Sequence, residues 1–299
     1  MIKLDGIAAF VAVAEAGSIS EAARRLRLSK SVVSERLTEL ERALGTSLLH
    51  RTTRRLSITD DGLAFRARAN RIMQEVVDAA AEVSERHGSL AGPLRIAGPV
   101  SFGTLHLGPA LYPFLRDNPG IDLTLDLDDR FINVAADGYD AVIRHGPIAE
   151  TDLIAKPLAP SRRVLVASPD YLLHRGRPRS IAELEDHRAI VYTNRGTVDW
   201  RFQTRDSTVI ARAASSLHVN NGLVMRDAAI AGLGIALLPT FMVHAALTTE
   251  ALNMIDIGAE PESAVVHIAY PKNKRVSAKL YALIECLRRT FGDPPYWDR

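Results

Sequence analysis

The chain has 299 residues, of which 47% are hydrophobic and 24% charged, and its formal net charge is +2. This length suffices for about two domains with cores of their own, at roughly 100–200 residues per domain. The composition is that of an ordinary soluble globular protein, and the sequence has no low-complexity tract. Because the total charge is close to zero, only the local charge can point to a polyanionic partner.

The single cysteine and the apolar N-terminus indicate the compartment. Cys286 cannot form an intrachain disulfide, and one thiol in a long chain is typical of a reducing compartment. Asp5 and Glu15 bracket the N-terminal apolar run, whose helical spacing indicates a packed helix and not a signal peptide. The residues that fall on one helical face are Leu4, Ile7, Phe10, Val11 and Ala14. No run reaches the roughly 18 apolar residues of a membrane span. We therefore predict a cytoplasmic protein without membrane contact, cofactor or bound metal.

Positive charge is concentrated near the N-terminus. Residues 18–59 contain nine Lys or Arg residues and four Glu residues. A local excess of this kind is typical of a surface that approaches a polyanion.

Two short helices with a tight connection are predicted inside this basic region. Ser18 stands three residues before Glu21, the spacing of a capping box, and Ser29 offers an N-cap for the next helix. Apolar residues of that helix recur at steps of four, three and four, at Val33, Leu37, Leu40 and Leu44. One face is therefore buried and the other free. The pair predicts a helix-turn-helix, whose second helix enters a major groove.

The free face of the second helix and the segment after it supply the candidate DNA-binding residues. Small hydroxyls let a helix approach base edges, and charged side chains can meet bases or phosphates. The candidates on the helix are Ser29, Lys30, Ser31, Ser34, Glu35 and Arg36. The segment TSLLHRTTRRLSIT suits a two-stranded wing with Arg51, Arg54 and Arg55 near its tip, where they would attract phosphates. The alternative is that the serines are only solvated helix positions.

From Asp60 to about Arg86 the sequence predicts one long helix, since neither Gly nor Pro occurs after Gly62. At about 1.5 Å per residue this helix would be roughly 40 Å long, more than a small domain needs. We expect its apolar stripe to pack against a second copy of the chain. The alternative is a helix that packs only on its own domain.

After the linker HGSLAGP at residues 87–93, strand-like runs alternate with helical patterns, which predicts an α/β domain of largely parallel sheets. Ligands of such domains bind at the carboxyl ends of strands. Polar residues at predicted strand ends or at a helix start are the candidate ligand-binding residues, namely Ser101, Arg144, His145, Thr193, Asn194 and Asn220. They favour a small polar or anionic molecule. A helix cap or an interdomain hydrogen bond is the alternative role for each.

Segments along the whole chain resemble one family. In the first ninety residues they are FVAVAEAGSISEAA (10–23), LSKSVVS (28–34), LLHR (48–51) and TTRRLSIT (52–59). In the rest they are GPLRI (92–96), DGYDAVIR (137–144), LVASPDYL (165–172) and AGLGIALLP (231–239). In their order and spacing these segments resemble the LysR-type transcriptional regulators, over essentially the full length.

The resemblance implies an α + α/β fold in three parts. These are a winged helix-turn-helix DNA-binding domain at 1–59, a linker (dimerisation) helix and hinge at 60–91, and an effector-binding regulatory domain at 92–299. The regulatory domain would resemble periplasmic solute-binding proteins, with an effector between subdomain I (92–161 and 268–299) and subdomain II (162–267). The implied partners are double-stranded promoter DNA with an inverted repeat, a small-molecule effector and a second copy of the chain, with a dimer of dimers expected. RNA polymerase is a further candidate partner.

Two residues depart from the pattern of the family. Lys30 stands where Gln is most frequent, and Glu35 stands where a basic or polar residue often follows the helix serine. Lys favours the guanine acceptors and Glu can accept from cytosine N4, whereas Gln pairs with adenine. We therefore predict a G·C pair in the half-site where relatives prefer A·T.

An enzyme is the rival class. Gly232 and Gly234 form only a fragment of a dinucleotide fingerprint, no zinc spacing or Walker-type loop occurs, and no spacing ties a His and an Asp to Ser101. A solute-binding protein is the second rival, for the C-terminal part alone. We predict a non-enzymatic, ligand-controlled regulator of transcription, and a gel shift distinguishes it from both rivals.

Overall fold

The computed structural model describes residues 1–51, 56–85, 90–134, 137–195, 200–204, 207–211, 213–273 and 276–299. The chain folds into two compact units, Met1–Pro93 with Ala135–Gly138, and Leu94–Val134 with Tyr139–Arg299. Apolar clusters occur within each of them.

The N-terminal unit begins with three helices, α1 (Leu4–Ala16), α2 (Ile19–Arg25) and α3 (Lys30–Leu44). Both predicted caps are confirmed. Ser18 Oγ accepts a hydrogen bond from the N–H of Glu21 at 3.4 Å, and Ser29 Oγ accepts one from the N–H of Val32 at 3.3 Å. The connection between α2 and α3 is only four residues long, 26–29, so the two helices form a helix-turn-helix.

Apolar side chains of all three helices form the core of this unit. Val33, Leu37 and Leu40 of α3 are buried, as the stripe predicted, and belong to one cluster with Phe10 and Val13 of α1. Among the described residues no single helix is long and apolar enough to cross a membrane, and only α1 with α2, bent by 119°, passes on length and composition.

A two-stranded sheet follows α3 and leads into a long helix. Strands β1 (Leu49–Arg51) and β2 (Leu56–Ile58) are antiparallel. The Glu41 carboxylate accepts hydrogen bonds from the N–H groups of Leu48 at 2.8 Å and Leu49 at 3.2 Å, which ties the sheet to α3. Helix α4 (Asp60–Glu85) has 26 residues, in agreement with the predicted long helix.

Gly62 of α4 packs directly against the backbone of the residue that precedes β1. A Cβ there would lie 2.2 Å from the Leu48 carbonyl oxygen and 2.7 Å from Ile58 Cγ1. Because a backbone atom cannot move aside without shifting the wing, we expect Gly62→Ala to lower the free energy of unfolding of this unit by about 3 kcal/mol. Amide hydrogen exchange over residues 4–44 measures the loss.

Gly45→Ala is the matched control for that substitution. A Cβ at Gly45 meets open space, so only its left-handed φ of 72° resists an L side chain, at about 1 kcal/mol. Equal losses for the two variants would contradict the steric argument.

The second unit contains thirteen strands and six α-helices within its described residues. The strands are β3 (Gly92–Gly98), β4 (Ile121–Leu127), β5 (Ala141–His145), β6 (Leu153–Ser161), β7 (Arg163–Ala167), β8 (Arg188–Tyr192), β9 (Trp200–Gln203), β10 (Thr208–Ala211), β11 (Ala214–Val219), β12 (Ile235–Pro239), β13 (Asn253–Ile255), β14 (Glu260–Pro261) and β15 (Ala264–Pro271). The helices are α5 (Val100–Phe102), α6 (Gly108–Asp117), α7 (Pro169–Arg175), α8 (Gly222–Ile230), α9 (Thr240–Thr248) and α10 (Ala278–Phe291). A π-helical turn, Gly103–Leu107, joins α5 to α6.

The strands form two five-stranded sheets, in the orders β4-β3-β5-β15-β6 and β11-β8-β12-β7-β13, and a small sheet β10-β9-β14. The expectation of largely parallel sheets is wrong: β15 runs antiparallel to β5 and β6, and β7 runs antiparallel to β12 and β13. The antiparallel strands are the two that enter a large sheet from another sheet: β7 directly follows β6 of the first large sheet, and β15 directly follows β14 of the small sheet.

The second large sheet is apolar on both faces. Along β7, Leu165 and Ala167 belong to one buried cluster, and Val164 and Val166 belong to another. Since successive side chains of a strand point to opposite faces, both faces are covered, as is usual in α/β units.

Candidate functional site

The exposed face of α3 carries short and charged side chains. Its exposed residues include Lys30, Ser31, Glu35 and Thr38. The Oγ atoms of Ser29 and Ser31 lie 2.8 Å apart, and the Ser34 carbonyl accepts a hydrogen bond from the Thr38 hydroxyl at 2.9 Å. Because the side chains of Ser29, Ser31 and Ser34 are short, the helix start can approach another surface closely.

Thr38 is a candidate that the sequence argument missed. It lies three residues after Glu35 and four after Ser34, so it shares their face of the helix. That spacing was the signal that could have identified it.

Arg36 pairs with a residue of α1, and its side chain is 30% exposed. Its Nη2 atom lies 3.0 Å from Asp5 Oδ2, and Lys3 Nζ lies 2.9 Å from Glu39 Oε2. The first ion pair joins α1 to α3, and the second joins the residue before α1 to α3. DNA contact by Arg36 would therefore compete with Asp5, and its assignment stays a prediction.

The wing is only partly described. Arg51 ends β1. Arg54 and Arg55, the other two predicted phosphate contacts, lie outside the described residues.

The second unit contains a cavity of about 130 Å³, with room for on the order of ten water-sized groups. Four lining residues follow or end strands β3, β4 and β5 of the first large sheet: Pro99, Ser101, Asp129 and His145. Others come from the second large sheet and its helices, including Tyr192, Gly222 and Leu238. The cavity thus lies at the carboxyl ends of strands, where α/β units bind ligands.

Ser101 and His145 are the two predicted ligand-binding residues that line this cavity. Arg144 does not line it, because neighbouring residues of a strand point to opposite faces. Its Nη2 donates to the Ile132 carbonyl oxygen at 2.7 Å and lies 3.4 Å from Glu150 Oε1.

Thr193, Asn194 and Asn220 are also outside the cavity wall, and none of the three is buried. The chain turns into a 3-10 helix after Tyr192, so Tyr192 reaches the cavity and the two residues after it do not. On the other side Asn221 caps α8, and Gly222, not Asn220, lines the wall.

Ser101 is the most constrained polar group of the wall. Its side chain is buried at 2% exposure, and its Oγ has no hydrogen-bond partner among the described residues. A buried hydroxyl without a partner costs about 1–3 kcal/mol. A ligand acceptor in the cavity would remove that cost.

Asp129 places a carboxylate at the same wall. Its Oδ1 accepts a hydrogen bond from the N–H of Val100 at 3.0 Å. Burial raises the pKa of Asp129, against the lowering effect of that hydrogen bond. Burial, and secondly the nearby Asp129, raise the pKa of the Tyr192 hydroxyl, which places the two side chains within electrostatic range of each other.

The remaining polar groups are Arg163 and His145. Arg163 begins β7, and its Nε has no hydrogen-bond partner among the described residues. His145 Nε2 lies 2.7 Å from Ser161 Oγ. The cavity therefore has one carboxylate and one guanidinium in its wall.

The rest of the wall is apolar, with Trp200, Met225, Leu237, Phe241 and Met242. None of these was predicted. Asp129 was also missed, although its place just after the strand IDLTLDL was a usable signal. Within the described part of the chain, no group of three His, Cys, Asp or Glu side chains is placed to hold a metal ion.

His106 connects the cavity wall to the C-terminus. Its Nε2 lies 2.9 Å from the Phe241 carbonyl oxygen, and its Nδ1 lies 2.5 Å from the Tyr296 hydroxyl. Since a carbonyl only accepts, Nε2 carries the proton and Nδ1 accepts from Tyr296. Burial lowers the pKa of His106, so the neutral form is favoured.

That shift predicts a pH effect on stability. With the folded pKa below the ordinary 6.5, the unfolded chain takes up the proton first. The contribution of neutral His106 is complete above pH 6.5 and is lost as the pH falls from 6.5 toward the folded pKa. In His106→Gln the amide can keep both hydrogen bonds, so we expect a smaller loss of unfolding free energy between pH 7.5 and 5.

Urea unfolding followed by tryptophan fluorescence measures this loss, because both tryptophans, Trp200 and Trp297, lie in the second unit. Burial also lowers the pKa of His187, so part of the pH dependence stays in the variant. An identical loss in both proteins would exclude His106 as a source.

A helix-turn-helix unit with a free polar helix face, together with an α/β unit that holds a partly polar cavity, defines a DNA-binding regulator with a ligand-binding domain. The comparisons agree. Residues 4–63 match the model of the bacterial regulatory helix-turn-helix protein, lysR family, and residues 87–292 match that of the LysR substrate binding domain. The chain therefore belongs to the LysR family and is a LysR-type DNA-binding transcriptional regulator with an effector-binding domain.

Individual relatives match along nearly the whole length. The HTH-type transcriptional regulator YhjC of Escherichia coli is 33% identical over 96% of this chain and 97% of its own. PtxR of Pseudomonas aeruginosa is 31% identical over 99% and 95%. The solved structure of CrgA, a LysR-type transcriptional regulator from Neisseria meningitidis, is 29% identical over 94% and 98%, with a TM-score of 0.60.

Proposed function

We propose that this regulator reads DNA with the exposed face of α3 and responds to a small molecule in the cavity of the second unit. DNA reading is supported by the short side chains at the start of α3. Ser29, Ser31 and Ser34 leave space for the base edges in a major groove. Lys30 and Glu35 flank them as the base-reading side chains. Arg36, Arg51, Arg54 and Arg55 are proposed to contact phosphates, with Arg36 in exchange for Asp5.

The experiment for DNA reading is selection of sites from random duplexes by wild type and by Lys30→Gln. We expect wild type to prefer a G·C pair at one half-site position and Lys30→Gln to shift that position toward A·T. The shift should be about 10–100-fold, the discrimination of one good base contact. Unchanged preferences would refute the role of Lys30, and salt-insensitive, sequence-independent binding would refute DNA reading as a whole.

We also propose a homodimer that forms through α4. Phe65, Ala69 and Met73 pack on the core of the N-terminal unit. Ile72 and Val76 continue the same helical face beyond that core and are each 41% exposed. This apolar stripe extends beyond the core of its own unit, which supports packing against the α4 of a second copy. A dimer of dimers would match an interrupted inverted repeat.

We further propose a division into domains 1–59, 60–91 and 92–299. Within the last domain, subdomain I would comprise 92–161 and 268–299, and subdomain II would comprise 162–267. Action on promoter DNA supports a cytoplasmic, non-enzymatic protein, with RNA polymerase as a candidate partner. An effector that prefers one orientation of the two halves would shift their equilibrium and, through residues 87–93, the spacing of the paired α3 helices.

A further inference from the structure

We infer that the effector is a small zwitterion, an α-amino acid with an apolar side chain, whose carboxylate meets Ser101 and Gly222 and whose ammonium meets Asp129. This inference rests on the proposed role of the cavity and specifies its ligand.

The carboxylate subsite has two donors from opposite halves of the unit. Ser101 Oγ is buried and without a partner among the described residues, and it lies 3.4 Å from the point where a Cβ on Gly222 would stand. Asn221 Oδ1 accepts from the N–H groups of Leu223 and Val224. The N–H of Gly222, the first of α8, has no acceptor within the helix. The Ser101 hydroxyl and the start of α8 thus lie next to each other on the cavity wall, an arrangement suited to an anionic oxygen.

Asp129 makes a simple carboxylic acid a poor fit. Its carboxylate is held by the N–H of Val100, the residue directly before Ser101, so it lies beside the proposed anion subsite. Two carboxylates side by side repel, whereas an ammonium between them pairs with both.

The spacing and the charges favour an α-amino acid. Because Val100 and Ser101 are consecutive, the cationic and anionic groups of the ligand must be close to each other, as they are on one α-carbon. Asp129 and Arg163 give the wall one charge of each sign, which suits a ligand of zero net charge.

The apolar wall supplies the site for the side chain. Trp200, Met225 and Phe241 are at least nine-tenths buried and line the cavity. The volume of about 130 Å³ accommodates on the order of ten non-hydrogen atoms, the size of leucine or methionine. Short polar or highly charged amino acids would leave this wall without contact.

The test is isothermal titration calorimetry of the full-length protein with valine, leucine, isoleucine, methionine, phenylalanine, tyrosine and tryptophan. Each is compared with the acid that lacks its amino group and the amine that lacks its carboxylate. We expect at least one amino acid to bind ten times more tightly than both counterparts. The inference is overturned if none of the seven binds, or if a deaminated acid binds as tightly as its amino acid.

Two variants assign the contacts. Asp129→Asn should weaken the amino acid at least tenfold without weakening its deaminated acid, and Ser101→Ala should weaken both. Asp128→Asn is the matched control, since Asp128 pairs with Arg130 at 2.6 Å and does not line the cavity. If plain acids bind as tightly as amino acids and Ser101→Ala weakens both, the zwitterion inference is refuted but the cavity stays the proposed effector site. If Ser101→Ala does not weaken binding of any ligand, the proposed effector site is refuted as well.

Discussion

Replacing Ser31 by glutamate should lower the affinity for a selected DNA site about 100-fold or more, while the N-terminal unit becomes no less stable. Ser31 is exposed at the second position of α3. A carboxylate in the first turn of a helix stabilises it by about 0.3–1 kcal/mol through the helix dipole. On the DNA the same carboxylate and its longer side chain would face base edges and phosphates, and a 100-fold loss is about 2.7 kcal/mol.

Two further variants separate charge from position. Ser20→Glu adds the same charge at the second position of α2 and should cost at most about tenfold, since the first helix of the motif only crosses the backbone. Ser31→Ala keeps the small size and should also cost at most about tenfold. Gel shifts at two salt concentrations measure all three. If Ser20→Glu and Ser31→Glu lose the same affinity, α3 does not occupy the groove.

The N-terminal unit could be predicted almost completely because its signals are local. Ser18 and Ser29 cap helices within three residues of themselves, and the stripe Val33, Leu37 and Leu40 is set by the period of one helix. The pairing of Arg36 with Asp5 could not be predicted, since it depends on how α1 crosses α3. Helical spacing determines which residues share a face of a helix. The orientation of a side chain at the edge of that face depends on the neighbouring helix, which the spacing does not reveal.

The position of the cavity could be predicted from the sequence, but most of the residues that line it could not. Strand ends identified Ser101 and His145, and the same rule also selected Arg144 and Thr193, which miss the cavity by one residue. A shift of one residue reverses the side-chain direction on a strand, and predicted strand ends are uncertain by more than that. Trp200, Met225 and Phe241 could not be identified, because an apolar residue facing a cavity has the same sequence signal as one in a core.

Gly222→Leu should abolish ligand binding in the cavity, with a loss of affinity of at least about 100-fold. A Cβ at Gly222 would lie 2.5 Å from Met242 Sδ and 2.7 Å from its Cε. Both atoms belong to the far end of a flexible side chain that itself lines the cavity, so the strain can be relieved by movement of Met242 into the empty space. The leucine side chain and the displaced thioether would then fill much of a volume of about 130 Å³ and cover the approach to Ser101.

Differential scanning fluorimetry with small organic acids and amino acids tests this expectation: compounds that raise the melting temperature of wild type should leave Gly222→Leu unchanged. Val224→Leu is the matched control, because Val224 lies two residues further along α8, is 47% exposed and does not line the cavity. The control should respond as wild type does. A full response of Gly222→Leu would mean that ligands do not bind beside Ser101, because a Cβ at position 222 would already lie 3.4 Å from Ser101 Oγ.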